Sequence, residues 1–278
     1  MNKLILPLLA LALNSDLPPQ TPLQQILTQV EQQRYVNTHP SPALIPTGVN
    51  LYIQQLPSSI SGAQQIQTYA TPGAQYCLIH LRQRHYKESL KDNPQAMHDI
   101  LTIQQEIYDI LTSLPPDQKK VYEEGLTQED FNYFMNSLEV IQQKYITLKA
   151  MRTPQNQNST TTIQQQIKQL QTIEMTTLGA AAVLAREKKV ILYPAEAEPA
   201  DLTPPSSTTP KMEQREHFVL EQIVKNQTPL AFVVYGASHD FGDTIELWNQ
   251  SHPNAKFSFI EITPANYNYL KTYNTFHQ

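Results

Sequence analysis

Four nearly continuous apolar runs, each followed by a segment of different pattern, constrain this sequence more than any other feature. They span residues 76–80, 190–193, 230–235 and 257–262. Strands that are apolar at almost every position are buried on both faces, as in a parallel sheet covered by helices. Helical patterns between the runs favour parallel pairing, because a parallel connection needs a crossover. We therefore expect an α/β fold, with a mostly parallel sheet flanked by helices.

The segment from about 94 to 185 carries the helical period of apolar residues instead of a strand pattern. A first apolar stripe stops at Pro115 and Pro116, since proline cannot continue a helix. Thr127 and Asp130 then resemble a capping box, with Asp in place of Glu, that opens a second helix. The pattern predicts a long helical insertion between the first two core strands.

The first residues have the order of a secretory signal, with a lysine followed by the apolar run 4–13. We expect residues 1–15 to be a signal peptide, the protein to be exported to the periplasm or the exterior, and 16–278 to form one α/β domain. The run is too short to cross a bilayer, so no integral membrane span is expected. The alternative for this segment is an amphipathic N-terminal helix.

Charge and cysteine content exclude several classes of function. The net charge is −5 and the isoelectric point is near 5.9, so the chain lacks the excess of Lys and Arg that nucleic-acid binding requires. Cys77 is the single cysteine, and it lies inside an apolar run. A thiolate metal cluster and a redox pair are therefore excluded, and any metal site must use histidines and carboxylates.

Chemically useful side chains follow the apolar runs, at the ends where ligands collect in parallel α/β sheets. The candidate site residues are His80 and His85 at the first run, Glu196 or Glu198 at the second, Arg215 at the start of a helix, and His239 at the third run. Each has an ordinary alternative: a hydrogen-bonded histidine, a solvated carboxylate or a surface charge. Their coincidence at successive strand ends favours a site over these alternatives.

These motifs, taken in order, resemble the TraB/TIKI and erythromycin-esterase/ChaN-like superfamily. The resemblance rests on a histidine at the end of the first strand, a long helical insertion, a strand ending in Tyr-Pro-x-Glu, a helix beginning Arg-Glu, and a strand ending in Gly-x-x-His, across about 76–262. It implies that His80, Glu196, Arg215 and His239 stand at the functional positions of that family. The first motif departs from the pattern, because Cys77 stands where glycine is expected, and His85 is the alternative counterpart.

The expected function is an exported hydrolase that cleaves a peptide or ester bond in a small-molecule or peptide substrate. In a metal-dependent version, His80, Glu196 and His239 bind Zn, Mn or Fe, and Arg215 stabilises an oxyanion or a substrate carboxylate. In a metal-free version, one histidine is the general base and a glutamate orients it. The alternative class is a non-catalytic exported domain that binds a ligand such as haem or a protein partner.

Overall fold

The computed structural model describes residues 49–84, 86, 90, 92–116, 119–151, 157–198, 211–236 and 238–267. The expected signal peptide and His85 lie outside these residues, and so do residues 199–210. Within them the class is α/β, as the sequence indicates.

A six-stranded mixed sheet forms the centre of the fold, in the order β1-β6-β2-β5-β3-β4. The strands are β1 (Ala63–Tyr69), β2 (Tyr76–Gln83), β3 (Lys119–Glu123), β4 (Val190–Pro194), β5 (Leu230–Gly236) and β6 (Phe257–Pro264). Strand β1 is antiparallel to β6, and the other neighbouring pairs are parallel. The carboxyl ends of β2 to β6 therefore meet at one edge of the sheet, which we call the carboxyl edge.

Seven helices accompany the sheet in the described part of the chain. They are α1 (Val49–Gln55), α2 (Pro94–Ser113), α3 (Gln128–Ala150), α4 (Gln157–Thr177), α5 (Ala180–Arg186), α6 (Lys211–Lys225) and α7 (Phe241–Ser251). None of these helices is both long enough and apolar enough to cross a membrane.

The apolar side chains of the sheet pack against helices on both faces. Leu78 of β2 belongs to a buried cluster with Leu220 of α6 and Ile245 of α7. Its neighbour Ile79 faces the opposite side, because successive side chains of a strand alternate, and it is also fully buried. Coverage on both faces explains why the parallel strands have nearly continuous apolar sequences.

The long helical insertion expected over about 94–185 is not confirmed, because strand β3 interrupts it. Helix α2 ends before the two prolines, as expected, but the chain then enters the sheet between β5 and β4. Thr127 caps the next helix by accepting a hydrogen bond from the amide of Asp130 at 3.2 Å. The segment thus contributes helices and also a strand that reaches the carboxyl edge.

Candidate functional site

Three adjacent strands, β5, β3 and β4, each present an ionisable side chain just beyond their carboxyl ends. Glu124 follows β3, Glu196 follows β4 and His239 follows β5. Main-chain hydrogen bonds fix these segments: the amide of Glu124 donates to Val234 at 3.1 Å, and the amide of Glu196 donates to Leu126 at 3.1 Å. The carboxyl edge is where ligands bind in sheets of this kind.

Arg215 of α6 connects the three segments through its guanidinium. Its Nε donates to Glu196 Oε1 and its Nη2 to Glu196 Oε2, both at 2.6 Å, which is a bidentate pair. Nη2 also donates to Glu124 Oε1 at 2.8 Å, and Nη1 lies 3.3 Å from His239 Nε2. Burial opposes the charge of Arg215, but its hydrogen bonds with Glu196 outweigh that effect and raise its pKa.

The ring of His239 is held on both nitrogens. Nδ1 lies 2.9 Å from Glu216 Oε1, and because a carboxylate can only accept, Nδ1 carries the hydrogen. Nε2 faces Arg215 and also lies 3.5 Å from Glu124 Oε1. The neutral ring therefore presents an unprotonated Nε2 on the side of Arg215 and Glu124.

The pKa of His239 is raised above its ordinary value by its carboxylate neighbours. Burial alone would lower this pKa, but hydrogen bonding to Glu124 and Glu216 favours the imidazolium form and prevails. The ring is 2% exposed and packs edge-on against Tyr235 at 4.7 Å between centroids. A buried, oriented histidine with a raised pKa has the properties of a proton acceptor.

Glu216 is itself fixed by three donors. Besides His239, the amide of Asp240 donates to its Oε1 at 3.1 Å and the hydroxyl of Thr244 donates to its Oε2 at 2.5 Å. Burial alone would raise the pKa of Glu216, but these hydrogen bonds lower it. The carboxylate therefore stays ionised and holds the His239 ring in one orientation.

Glu124 completes the cluster on the side of β5. It accepts a very short hydrogen bond from the amide of Gly236, in addition to the one from Arg215. The Arg215 side chain is 22% exposed, compared with 3% for Glu216, so the cluster opens to solvent on the side of the guanidinium.

His80 does not stand at the carboxyl edge, contrary to the prediction. Strand β2 continues to Gln83, and His80 lies inside it, opposite Val233 of β5 and Glu261 of β6. Its Nε2 donates to the carbonyl of Tyr235 at 3.2 Å, and its side chain is fully buried. The strand is longer than its apolar sequence because Leu81 is also buried and the two polar residues after it keep pairing with β5.

Glu198, the alternative to Glu196, has a different position. Its Oε1 accepts a hydrogen bond from the amide of Glu129 at 3.0 Å, at the first turn of α3. A carboxylate there is favourable because helix N-termini carry partial positive charge. Glu196 and not Glu198 is therefore the carboxylate that contacts Arg215.

The expected metal ligands His80, Glu196 and His239 do not converge. Both carboxylate oxygens of Glu196 are bound by Arg215, and His80 Nε2 is directed at the Tyr235 carbonyl. Among the described residues no group of three or more His, Cys, Asp or Glu side chains has the arrangement of a metal site. The donor set His80, Glu196 and His239 therefore does not fit the divalent ion of the metal-dependent version.

Two residues of the cluster, Glu124 and Glu216, were not predicted from the sequence. Glu216 follows Arg215 directly, and its position in the same helix was the available signal. Glu124 lies in a Glu-Glu-Gly sequence shortly before Thr127, the residue that caps α3. The glycine indicates a turn, and a turn that follows a strand would have marked Glu124 as a residue at a strand end. Cys77, by contrast, is buried as expected, and burial raises its pKa to about 12.

No protein-family model matches the chain, and no curated protein or solved structure matches it. The resemblance to the TraB/TIKI and ChaN-like superfamily therefore stays a prediction. What this site can do follows from its own contacts.

Proposed function

We propose that the protein is a hydrolase that cleaves an ester or peptide bond, with His239 as the general base and Glu216 as the residue that orients it. The observation that carries this proposal is the 2.9 Å contact between His239 Nδ1 and Glu216. It leaves Nε2 as the acceptor on the side where the cluster opens. This is the metal-free version of the function expected from the sequence.

In the proposed reaction, the substrate displaces the 3.3 Å contact between Arg215 Nη1 and His239 Nε2. The freed Nε2 then takes a proton from a water molecule as the water oxygen bonds to the substrate carbonyl carbon. The carbonyl π electrons move to its oxygen and form a tetrahedral oxyanion. When the oxyanion collapses, the bond to the leaving oxygen or nitrogen breaks, and the proton on Nε2 moves to that atom. Water is consumed, and His239 returns to its neutral form.

Arg215 supports the oxyanion in this scheme. Nη1 donates towards His239 Nε2 at 3.3 Å, and in the proposed complex the carbonyl oxygen of the substrate replaces the imidazole as the acceptor of that hydrogen. Nη1 adjoins His239 Nε2, so a carbonyl oxygen at Nη1 lies beside a water at Nε2. Preorganised donors of this kind commonly contribute about 3 kcal/mol to catalysis.

Glu196 and Glu124 are positioning residues in this scheme. The bidentate pair fixes the plane of the Arg215 guanidinium, while Glu124 sets the distance between that guanidinium and His239. Export of the protein and membership in the TraB/TIKI and ChaN-like superfamily, both expected from the sequence, are parts of the same proposal.

The test is hydrolysis of a panel of p-nitrophenyl esters and fluorogenic peptides by the purified protein. His239→Asn is the informative variant, because the Asn amide can still donate to Glu216 and the buried carboxylate keeps a partner. We expect kcat/KM to fall at least about 100-fold, the usual contribution of a general base. His98→Asn, at an exposed position of α2, is the matched control and should retain full activity.

The alternative is a non-catalytic domain in which the Arg215 cluster only stabilises the fold. The observation in its favour is that Arg215 already has carboxylate partners on two segments. A wild-type protein that hydrolyses no member of the panel, or an unchanged kcat/KM in a folded His239→Asn variant, would establish this alternative and overturn the hydrolase proposal.

A further inference from the structure

A second arginine, Arg82, lies beside the proposed catalytic residues. In the parallel pairing of β2 with β5, Arg82 is level with Tyr235, so both side chains are on the same face of the sheet. The Tyr235 ring contacts His239, and the guanidinium carbon of Arg215 lies 5.6 Å from that ring's centroid. Neighbouring strands are about 5 Å apart. Arg82 is thus one strand away from the ring that carries the site.

The hydrogen-bonding capacity of Arg82 is only partly used. Its Nη2 lies 2.9 Å from Glu261 Oε2, but its Nε is buried and has no hydrogen-bond partner in the described part of the chain. An unpaired buried donor costs about 1–3 kcal/mol, and more when the group is charged. The side chain as a whole is 28% exposed, so its guanidinium can be reached from solvent.

A second polar atom near the same carboxylate is also unpaired. His80 Nδ1 lies 3.6 Å from Glu261 Oε2, too far for a hydrogen bond, and has no other partner within the described ranges. Native structures pair nearly all buried polar atoms, so two exceptions around one carboxylate call for an explanation. A ligand oxygen can pair with Arg82 Nε, which is a donor, but not with His80 Nδ1, which is an acceptor in the neutral ring because Nε2 carries the hydrogen donated to Tyr235.

The charges around Arg82 favour an anionic ligand. Among the described residues, the charged groups that act on the pKa of Tyr267 are two arginines, Arg82 and Arg84, and one carboxylate, Glu261, which pairs with Arg82. Burial would raise the pKa of Glu261, but His80 and Arg82 lower it, so this carboxylate is ionised beside Arg82. Arg215, in contrast, faces two carboxylates.

We infer that Arg82 binds a carboxylate of the substrate, close to the carbonyl that is attacked by the water activated by His239. This inference rests on the hydrolase proposal and assigns its substrate class: esters or peptides with a carboxylate a few bonds from the scissile carbonyl. The carboxylate accepts hydrogen bonds from the guanidinium atoms that Glu261 leaves free. Arg82 is therefore a specificity residue, whereas Arg215 serves the reacting carbonyl.

The first experiment compares mono-p-nitrophenyl adipate, which carries a carboxylate, with its uncharged methyl ester. We expect the wild type to prefer the anionic substrate in kcat/KM and Arg82→Gln to reduce that preference about 10-fold or more, since a hydrogen bond to a charged group contributes about 1.5–3 kcal/mol. Arg82→Lys should restore part of it. Lys225→Gln removes one positive charge at the exposed end of α6, before the amino end of β5, and should leave the preference unchanged.

The second experiment measures binding without turnover, by calorimetry with adipate and the uncharged adipamide. Tighter binding of adipate by the wild type, lost in Arg82→Gln, supports the inference. Equal binding of the two compounds, or adipate binding that survives Arg82→Gln, overturns it even if esters are hydrolysed. Adipate binding through Arg82 without hydrolysis of any ester would instead reject the hydrolase proposal and keep the carboxylate site.

Discussion

His239 Nδ1 contacts the Glu216 carboxylate at 2.9 Å, although the two residues are 23 positions apart and lie on different elements. Glu216 is followed by a strand and a turn before His239 is reached, and its helix neighbour Arg215 contacts the other ring nitrogen. Two consecutive residues of α6 thus hold the imidazole from both sides. The orientation of this ring depends on how α6 packs beside β5.

Glu216→Gln should lower both the activity and the pKa of His239. The amide removes the negative charge that favours imidazolium, so the acid limb of the kcat/KM profile is expected to move to lower pH. The maximal rate should fall about 100-fold, because the ring loses its fixed tautomer. NMR titration of the His239 ring would measure the same pKa change without a substrate.

The matched control for this variant is Glu246→Gln, which removes a carboxylate from an exposed position of α7. It should leave the His239 titration and the rate unchanged. An unchanged titration in Glu216→Gln itself would contradict the role that we assign to Glu216.

The His239–Glu216 pair predicts a pH window of maximal contribution to stability. Because the pKa of Glu216 is lowered, this group stabilises the folded protein at pH values above its ordinary pKa of 4.5. That stabilisation is lost as the pH falls through the folded pKa. Because the pKa of His239 is raised, this group stabilises the folded protein fully below pH 6.5, its ordinary pKa. That stabilisation is lost as the pH rises through the folded pKa. The pair should therefore contribute most to the free energy of unfolding between these two values.

Urea unfolding of the wild type and His239→Asn at about pH 5.5 and about pH 8.5 measures this effect. The difference in the free energy of unfolding between the two proteins should be larger at the lower pH. A difference that grows towards alkaline pH would show that the sign is wrong.

Glu123→Gln should stabilise the protein at alkaline pH. Glu123 lies on the other face of β3 from Glu124, and burial raises its pKa well above the ordinary value, although the hydrogen bond from Gln83 opposes this shift. A raised carboxyl pKa means that stability is lost as the pH rises above 4.5 towards the folded pKa. A glutamine at this position does not ionise, so the protein does not lose this stability, and its amide oxygen can still accept the hydrogen bond from Gln83.

The expected gain in the free energy of unfolding is about 1 kcal/mol or more at about pH 8, with little change at about pH 4, where the carboxyl is protonated in both states. Denaturant unfolding at the two values measures it. Glu221→Gln, at an exposed position of α6, should have no comparable pH-dependent effect. A destabilised Glu123→Gln at alkaline pH would show that the buried group is held as an ion.

Glu196→Gln and Glu198→Gln should differ in their effects on stability and on activity, although the two carboxylates are only two positions apart. Glu196→Gln weakens the bidentate pair with Arg215, so we expect a stability loss of about 1–3 kcal/mol and a reduced kcat. Glu198→Gln weakens only the carboxylate bound at the start of α3, which contributes about 0.3–1 kcal/mol and is remote from His239. Thermal unfolding and rates measured side by side would distinguish them, and equal losses of rate would contradict this assignment.

The elements with strong apolar patterns were predictable from the sequence. Strand β5 is buried at all positions between its ends, so Gly236 and His239 beyond it could be assigned to a strand end. The same pattern located β4 and, through it, Glu196. The sequence also placed Arg215 at the start of a helix, and helix α6 is that helix.

Strand β3 was not predictable in the same way, because its sequence begins with two lysines. Lys119 is nevertheless 3% exposed, and its Nζ donates to the Pro116 carbonyl at 2.7 Å, while Lys120 Nζ lies 3.5 Å from the Thr228 hydroxyl. Lysines that place their amino groups on nearby acceptors can occupy a sheet position that a hydropathy pattern does not reveal. Glu124 was missed as a consequence.

His80 shows the opposite failure, in which a strand was predicted but its end was not. The apolar run ends at His80, yet sheet pairing carries β2 three residues further, to Gln83. His80 has one nitrogen hydrogen-bonded to a carbonyl and an aromatic neighbour, Phe241, at 5.1 Å, so it is accommodated inside the sheet. Sequence pattern alone cannot distinguish that environment from a strand end.

The Leu126 carbonyl accepts hydrogen bonds from the amides of both Ala195 and Glu196. The alignment of Glu196 with Arg215 therefore depends on main-chain atoms, which every residue except proline supplies at these positions. Substitutions at position 126 or 195 that preserve size can accumulate without moving the carboxylate. Divergent descendants of this chain could consequently retain the geometry of the cluster after the surrounding sequence has become unrecognisable.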